Sequence, residues 1–361
     1  MKKNFLLVHL LNDFSGSPLV LANCIDALID NNCQVELITS KDNGFLSRCD
    51  VKKNLIQYKR FNIKLFTLFS FILSQIVFFL MLFFKTFFIK KEDKPTVLIN
   101  TILPFGAALG AKLGGCHIVY YVHEISIRPQ ILKKWLKWVL NNTADKAIYV
   151  SNYLKETEGA NIQCIEEYVV YNSLPKQLDQ NSSILKNKVF TVFMPSSLKK
   201  YKGVYDFVIL AQTLEKKNIR FILALNADEN DYDNFLNSID IPANLEVIRR
   251  PDDINKIYTL SSLVLNLSNP NEWVETFGMT VIEGFAHGCP AIVPTVGGIT
   301  EIVEEGMNGF KISVNDIDEI AEKINMIASN CAMHNALVSN ALITADNFQF
   351  SEYKKNILEV L

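Results

Sequence analysis

Two carboxylates eight positions apart, in Glu275-Thr-Phe-Gly-Met-Thr-Val-Ile-Glu283, frame the part of this chain best equipped for chemistry. An apolar run, Leu263–Leu267, ends in a polar loop, Ser268–Thr276, and a helix is expected to begin near Phe277–Gly278. The free N–H groups of a first helical turn, with the positive end of the helix dipole, can hold a diphosphate. Carboxylates repel phosphate, so Glu275 before the turn and Glu283 inside the helix are suited instead to accepting hydrogen bonds from hydroxyl pairs on either side of that anion. Lys202-Gly203 follows another apolar run, Val189–Met194, and the loop Pro195–Gly203, placing a cation where it can neutralise a departing diphosphate. His123 ends the run His117–Val122, and an imidazole there can hydrogen-bond developing charge or a hydroxyl group. Taken singly, each has a plainer reading: a solvated loop lysine, a helix-face carboxylate, a structural histidine.

Other chemistries lack their residues. There is no Gly-x-Gly-x-x-Gly fingerprint and no Gly-x-x-x-x-Gly-Lys-Ser/Thr loop, which removes the main warrants for a dehydrogenase or a P-loop ATPase. Helix amides plus a lysine make a divalent ion unnecessary, so neither metal nor cofactor is expected. The seven cysteines are scattered and never form Cys-x-x-Cys, which argues against zinc sites and disulfide frameworks and suits a reducing cytoplasm. A net charge of −2 without long runs of one sign excludes a protein that neutralises many phosphates, so nucleic acid is not an expected partner.

The elements that must position these residues alternate. Phe5–Leu11 reads as a buried strand rather than a signal segment, followed by a Gly16-containing loop, with Ser17 suited to an N-cap and Pro18 to the first helical position. Strands are expected at Val35–Thr39, Thr96–Asn100, His117–Val122 and Lys146–Val150, and in a second series at Val189–Met194, Arg220–Leu225, Leu245–Ile248, Leu263–Leu267, Ala291–Val293 and Phe310–Ile312. Helical stretches between them imply parallel sheets whose ligand edges lie at the strands' C-terminal ends. With 361 residues, two α/β, doubly wound, Rossmann-like domains are expected, with the boundary in the polar stretch Lys176–Asn187.

A mean hydropathy of +0.15 is high, and the excess is concentrated in Leu65–Phe84, twenty residues without a charge. As a helix it would be about 30 Å long, enough to cross a bilayer core. Lys59, Arg60 and Lys64 precede it; Lys85, Lys90, Lys91 and Lys94 follow. A true span would separate the first strands from the rest of their sheet, and a very apolar core helix is a second alternative. Docking on an anionic membrane surface without crossing is the expectation.

Glu275-x7-Glu283, then Gly288-Cys-Pro290, Val296-Gly297-Gly298, Glu301 and Glu304-Glu305-Gly306-Met-Asn308-Gly309, resembles the family-4 retaining glycosyltransferases of the GT-B fold that build bacterial surface polysaccharides. Weaker similarity extends to Asn100-Thr-Ile-Leu-Pro104, Tyr121-Val-His123-Glu124 and Val150-Ser151. The resemblance implies two Rossmann-like domains facing each other across a cleft: residues 1–182 for an acceptor, 183–345 for a nucleotide-sugar of UDP or GDP type, and 346–361 as a helix crossing back. It implies that Glu275 contacts donor-sugar hydroxyls, Glu283 the ribose, and Phe277, Gly278 and Met279 the diphosphate through their amides. Lys202 and His123 take catalytic roles, and Gly16 lies in a loop bordering donor and acceptor. The family's usual arginine, five residues before Lys202, is here Ser197, with Lys199 or Lys200 as substitutes; Glu124, next to His123, is suited to orienting His123 or the following loop, or is simply a helix-proximal charge. The expected activity is retaining, metal-independent, hexosyltransferase-like transfer to a lipid-linked saccharide acceptor in surface polysaccharide or lipopolysaccharide synthesis. The enzyme is expected to be cytoplasmic and peripheral on the inner face of the plasma membrane. The alternatives are a nucleotide-sugar epimerase of the same fold and a non-catalytic, sugar-nucleotide-binding assembly partner.

Overall fold

The computed structural model describes residues 3–159, 166–176 and 189–361, and the chain divides into two compact units, Met1–Ser173 with Phe350–Leu361 and Leu174–Gln349. The boundary expected at 182/183 and Cys164 lie outside the described residues.

In the first unit, β1 (Asn4–Val8), β2 (Gln34–Ser40), β3 (Lys52–Ile56), β4 (Thr96–Asn100), β5 (His117–Val122), β6 (Lys146–Tyr149) and β7 (Glu166–Val169) form one parallel sheet in the order β3-β2-β1-β4-β5-β6-β7. β1 is shorter than its apolar run. Beyond Val8 the chain turns, and the Asn12 amide donates to the Ser40 hydroxyl at 3.0 Å. Helix α1 (Gly16–Asp30) starts earlier than expected, with Ser15 rather than Ser17 at its cap. Asp13 Oδ1 accepts the Ser15 N–H at 3.0 Å, setting the turn, and Pro18 still falls in the first helical turn, where its missing N–H costs nothing.

Four further helices, α2 (Lys64–Phe87), α3 (Phe105–Leu113), α4 (Gln130–Thr143) and α5 (Asn152–Glu158), connect the later strands. α2 packs along α3, and α3 along α4. Both flanks of α2 feed the same sheet, through β3 and β4, which excludes a span that separates them. Nor is α2 a core helix: its buried residues are Ser74, Gln75, Phe78, Leu82 and Thr86, one stripe of a 24-residue element. That stripe meets glycines. A Cβ on Gly106 would stand 2.0 Å from the Gln75 carbonyl oxygen, and one on Gly110 2.4 Å from that of Phe79. Gln75 Oε1 accepts the Gly106 N–H at 3.0 Å, so the polar side of α2 is satisfied against α3.

The second unit repeats the plan with β8 (Phe190–Ser197), β9 (Ile219–Asn226), β10 (Leu245–Arg249), β11 (Leu263–Leu265), β12 (Ala291–Val293) and β13 (Gly309–Lys311), all parallel, in the order β10-β9-β8-β11-β12-β13. Its helices are α6 (Val204–Thr213), α7 (Glu229–Asn237), α8 (Ile254–Leu260), α9 (Met279–Ala286), α10 (Ile317–Ser329) and α11 (Cys331–Asp346). Phe207, Phe221, Leu223, Leu265 and Ile324 are among the residues of its core. The last helix, α12 (Phe350–Val360), belongs to the first unit, where it packs on α1.

Candidate functional site

In the second unit the strand order reverses between β8 and β11, so the segments leaving the C-terminal ends of these neighbours flank one crevice. From β8 comes a short turn, Lys200–Lys202, closed by Gly203 in the left-handed region at φ 74°. A Cβ on Gly203 would lie 2.4 Å from that of Leu267, so glycine lets the two exits press together. Lys202 Nζ donates to Glu275 Oε1, and Ser268 Oγ donates to the same oxygen at 2.8 Å. Both partners of this ion pair are largely buried, their side chains 19% and 17% exposed. The ammonium also lies 5.5 Å from the ring centroid of Trp273, which stacks on Tyr201. Burial alone would raise the Glu275 carboxyl, but the charge of Lys202 and the hydrogen bonds from Lys202, Ser268 and Asn266 outweigh it and hold the group below the usual carboxylate range.

The carboxylate is also fixed through its backbone. Gly298 N–H donates to the Glu275 carbonyl at 2.8 Å, and a Cβ on Gly297 would stand 2.5 Å from that oxygen. Gly278, at φ 126°, caps α9, one residue past the expected start, and Met279 leads the helix. Phe277 is buried, its ring 5.8 Å from that of Phe348, so only its backbone is suited to a ligand. Glu283 accepts the Tyr258 hydroxyl at 2.9 Å, and burial pushes its carboxyl up to about 7. Lys199 and Lys200 are exposed and lie outside the buried pair; Ser197 closes β8, opposite Asn226 of β9.

In the first unit the order reverses between β1 and β4, and Asn100, the last residue of β4, organises that crevice. Asn100 Nδ2 donates to the Ser17 carbonyl at 3.1 Å, which leaves Oδ1 to face His123 Nε2 at 2.8 Å. A carbonyl can only accept, so the amide's orientation follows, and His123 must carry its proton on Nε2. Burial, then neighbouring His9, pushes the His123 imidazole down to about 3, so it is neutral with a bare Nδ1. Asn100 therefore joins His123 to the first turn of α1, beside Gly16, where a Cβ would meet nothing within 4 Å. Glu124 does not orient the His123 ring. Its carboxylate accepts the backbone N–H groups of Ile102 and His123, each at 3.4 Å, and burial raises it to about 7.

Of the residues singled out from the sequence, Lys202 and Glu275 come into contact, Gly278, Met279 and Glu283 follow on the same loop and helix, and Gly16 and His123 share the other unit's crevice. Sequence reasoning missed the parts played by Asn100, Ser268 and Tyr258. Only Asn100 left a trace, as a polar residue ending an apolar strand. Among the described residues no group of three or more His, Cys, Asp or Glu side chains is placed to hold a metal ion.

Two family models match the chain in succession: Glycosyltransferase Family 4 over residues 14–163 and Glycosyl transferases group 1 over residues 175–343. An uncharacterised glycosyltransferase of Methanocaldococcus jannaschii is 27% identical over 263 residues, which is 71% of this chain and 70% of that one. Among solved structures, Anabaena HepE in complex with UDP and glucose superposes with a TM-score of 0.77 at 18% identity, covering 99% of this chain and 98% of that one. A glycosyltransferase from Rickettsia africae does so with a TM-score of 0.77 at 17% identity, covering 99% and 97%. With a family-4 domain, then a group 1 domain, and two parallel sheets matched throughout by these folds, the chain belongs to the GT-B glycosyltransferases.

Proposed function

We propose that this glycosyltransferase moves a sugar from a UDP- or GDP-type nucleotide-sugar to a lipid-linked saccharide, retaining configuration and needing no metal, at the cytoplasmic face of the plasma membrane during surface polysaccharide assembly. The observation that carries this reading is the Lys202–Glu275 pair just ahead of α9. Negative charge grows on the diphosphate as its bond to the anomeric carbon breaks. Lys202 moves from Glu275 to that charge, the leading amides of α9 share it, and Glu275 turns to the hydroxyls of the donor sugar. Glu283 accepts from the ribose, and HepE, which binds UDP and glucose, offers a fold precedent for that ligand class. The apolar face of α2 favours a lipid-linked acceptor over a soluble one. Titration calorimetry against UDP, GDP, ADP and CMP tests the donor class: heat with UDP or GDP is expected, and silence with all four rejects the site. Donor incubated alone should yield no isomer, which separates transfer from epimerisation.

Donor affinity should depend on pH through Glu283. Its carboxyl, raised to about 7 by burial, is protonated below that pH, whereas accepting two ribose hydroxyls needs the anion. Binding then releases a proton, and affinity for the nucleoside diphosphate should fall by up to about tenfold for each unit of pH below 7. Glu283→Gln should remove this slope and leave only the phosphate's own titration. Equal slopes for both proteins in calorimetry between pH 5.5 and 8 would remove Glu283 from the ribose.

A further inference from the structure

We infer that α4 is a second membrane contact: Ile131, Trp135 and Trp138 insert with the outer face of α2 into an anionic lipid bilayer, and α2 lies along the interface rather than across it. This rests on the reading of the enzyme as membrane-docked and adds to it the residues and the orientation.

Only Phe78 and Leu82 of the many apolar residues of α2 are buried in the protein. Polar Ser74, Gln75 and Thr86 face the protein, while Leu65, Phe69 and Phe84 are 70%, 66% and 62% exposed, with Phe66, Leu68, Ile72, Leu73 and Ile76 exposed beside them. An apolar surface of this kind on a single chain marks an interaction site. It does not stop at α2. Phe71 meets Phe105 at the start of α3 (ring centroids 6.0 Å apart), Phe105 meets Trp135 (5.9 Å), and Trp135 stacks on Trp138 (5.1 Å), so one string of rings carries the surface onto α4. There Ile131 is 78% exposed, and both tryptophans are exposed. Indole rings, with an apolar body and one N–H donor, favour the headgroup level of a bilayer.

Charge selects the occupant. Residues 52–91 contain eight Lys or Arg and no Asp or Glu, and residues 125–144 contain four and none, in a chain whose net charge is −2. Lys133 and Lys137 pair with Glu158, but Lys134 is exposed beside Trp135, and Lys59, Arg60 and Lys64 are exposed at the start of α2. Basic residues around an apolar face fit anionic headgroups around acyl chains. The in-plane orientation follows from the stripe of α2 pressed on Gly106 and Gly110 and from its two flanks returning to one sheet.

The chain has three tryptophans, so Trp273→Phe leaves the α4 pair as the fluorescent reporter. Added to vesicles of neutral phosphatidylcholine with about one-third phosphatidylglycerol, this protein should shift its emission to the blue and be quenched by lipids brominated near the headgroup more than by those brominated at mid-chain. Trp135→Ser with Trp138→Ser should weaken co-sedimentation by about tenfold, while circular dichroism stays unchanged. Vesicle binding with unshifted emission would overturn the role of α4 and leave docking through α2 intact. No vesicle binding would reject both. Emission already blue before lipid is added, together with a dimer in sedimentation, would assign the surface to a second copy of the chain and overturn the proposal, as would equal binding to purely neutral vesicles.

Discussion

Replacing Lys202 with alanine is expected to lower kcat by a factor of about 100 to 1,000, the loss seen when one group stabilising transition-state charge is removed, or roughly 3–4 kcal/mol. The ammonium is held where it can act at little reorganisation cost: largely buried, set by the tight turn at Gly203, beside the Trp273 ring and paired with Glu275. Its removal also strips Glu275 of the charge that holds its carboxyl down, leaving burial opposed by Ser268 and Asn266 alone. The folded protein then gains a poorly compensated acid, so Lys202→Ala should lower Tm as well. Glu275→Gln in the same background isolates the structural effect: with the buried acid neutralised Tm should recover, while kcat should stay low because the double variant lacks both the cation and the carboxylate proposed for the donor sugar. Lys202→Arg keeps the charge but spreads it over a planar fork, and activity should return in part. Retention of more than one-tenth of wild-type kcat by Lys202→Ala, with Tm measured alongside, would place the leaving-group charge elsewhere.

Much of this architecture is legible in the chain because buried parallel strands are short apolar runs between helices. Thr96–Asn100, His117–Val122 and Ala291–Val293 are found where the runs place them. β3 and β7 escape notice because they are edge strands, Lys-Lys-Asn-Leu-Ile and Glu-Glu-Tyr-Val, each opening on two charged residues that leave no apolar run to recognise. β8 runs three residues further than expected, through Pro195 to Ser197. Its pairing with the short β11 ends at Phe193, so on that side Pro195 has no ladder bond to lose. In the second unit the motif Glu275-x7-Glu283 exposed the site because helix start and carboxylates are local features. The contact of Lys202 with Glu275 is not local: it depends on the order reversal between β8 and β11, which no spacing in the sequence encodes. Asn100 is the counterpart in the first unit, a strand-end amide whose orienting role appears only when Ser17 and His123 are brought to either side of it.

Gly297→Val should cost about a hundredfold in kcat although no chemistry is proposed for residue 297, because it displaces Glu275, the carboxylate proposed to hold the donor sugar. Gly297 sits at φ 115° and ψ 171°, a region open essentially to glycine alone. An added Cβ would stand 2.5 Å from the Glu275 carbonyl oxygen and 3.2 Å from Val274 Cγ1, both parts of the loop that presents the Glu275 carboxylate. The loop must move out, the 2.8 Å bond from Gly298 N–H to that carbonyl weakens, and a displacement of about 1 Å at a catalytic group is worth about 100-fold in rate. Stability will fall too, so a matched control is needed. Gly306 also has positive φ, at 72°, but a Cβ there meets nothing within 4 Å. Gly306→Ala should therefore show the backbone cost alone, about 1–2 kcal/mol seen as a lower Tm, with kcat unchanged. Should Gly297→Val lose stability like Gly306→Ala yet keep kcat within threefold of wild type, the position of Glu275 would be set by Lys202 and Ser268 rather than by the glycine pair beneath it.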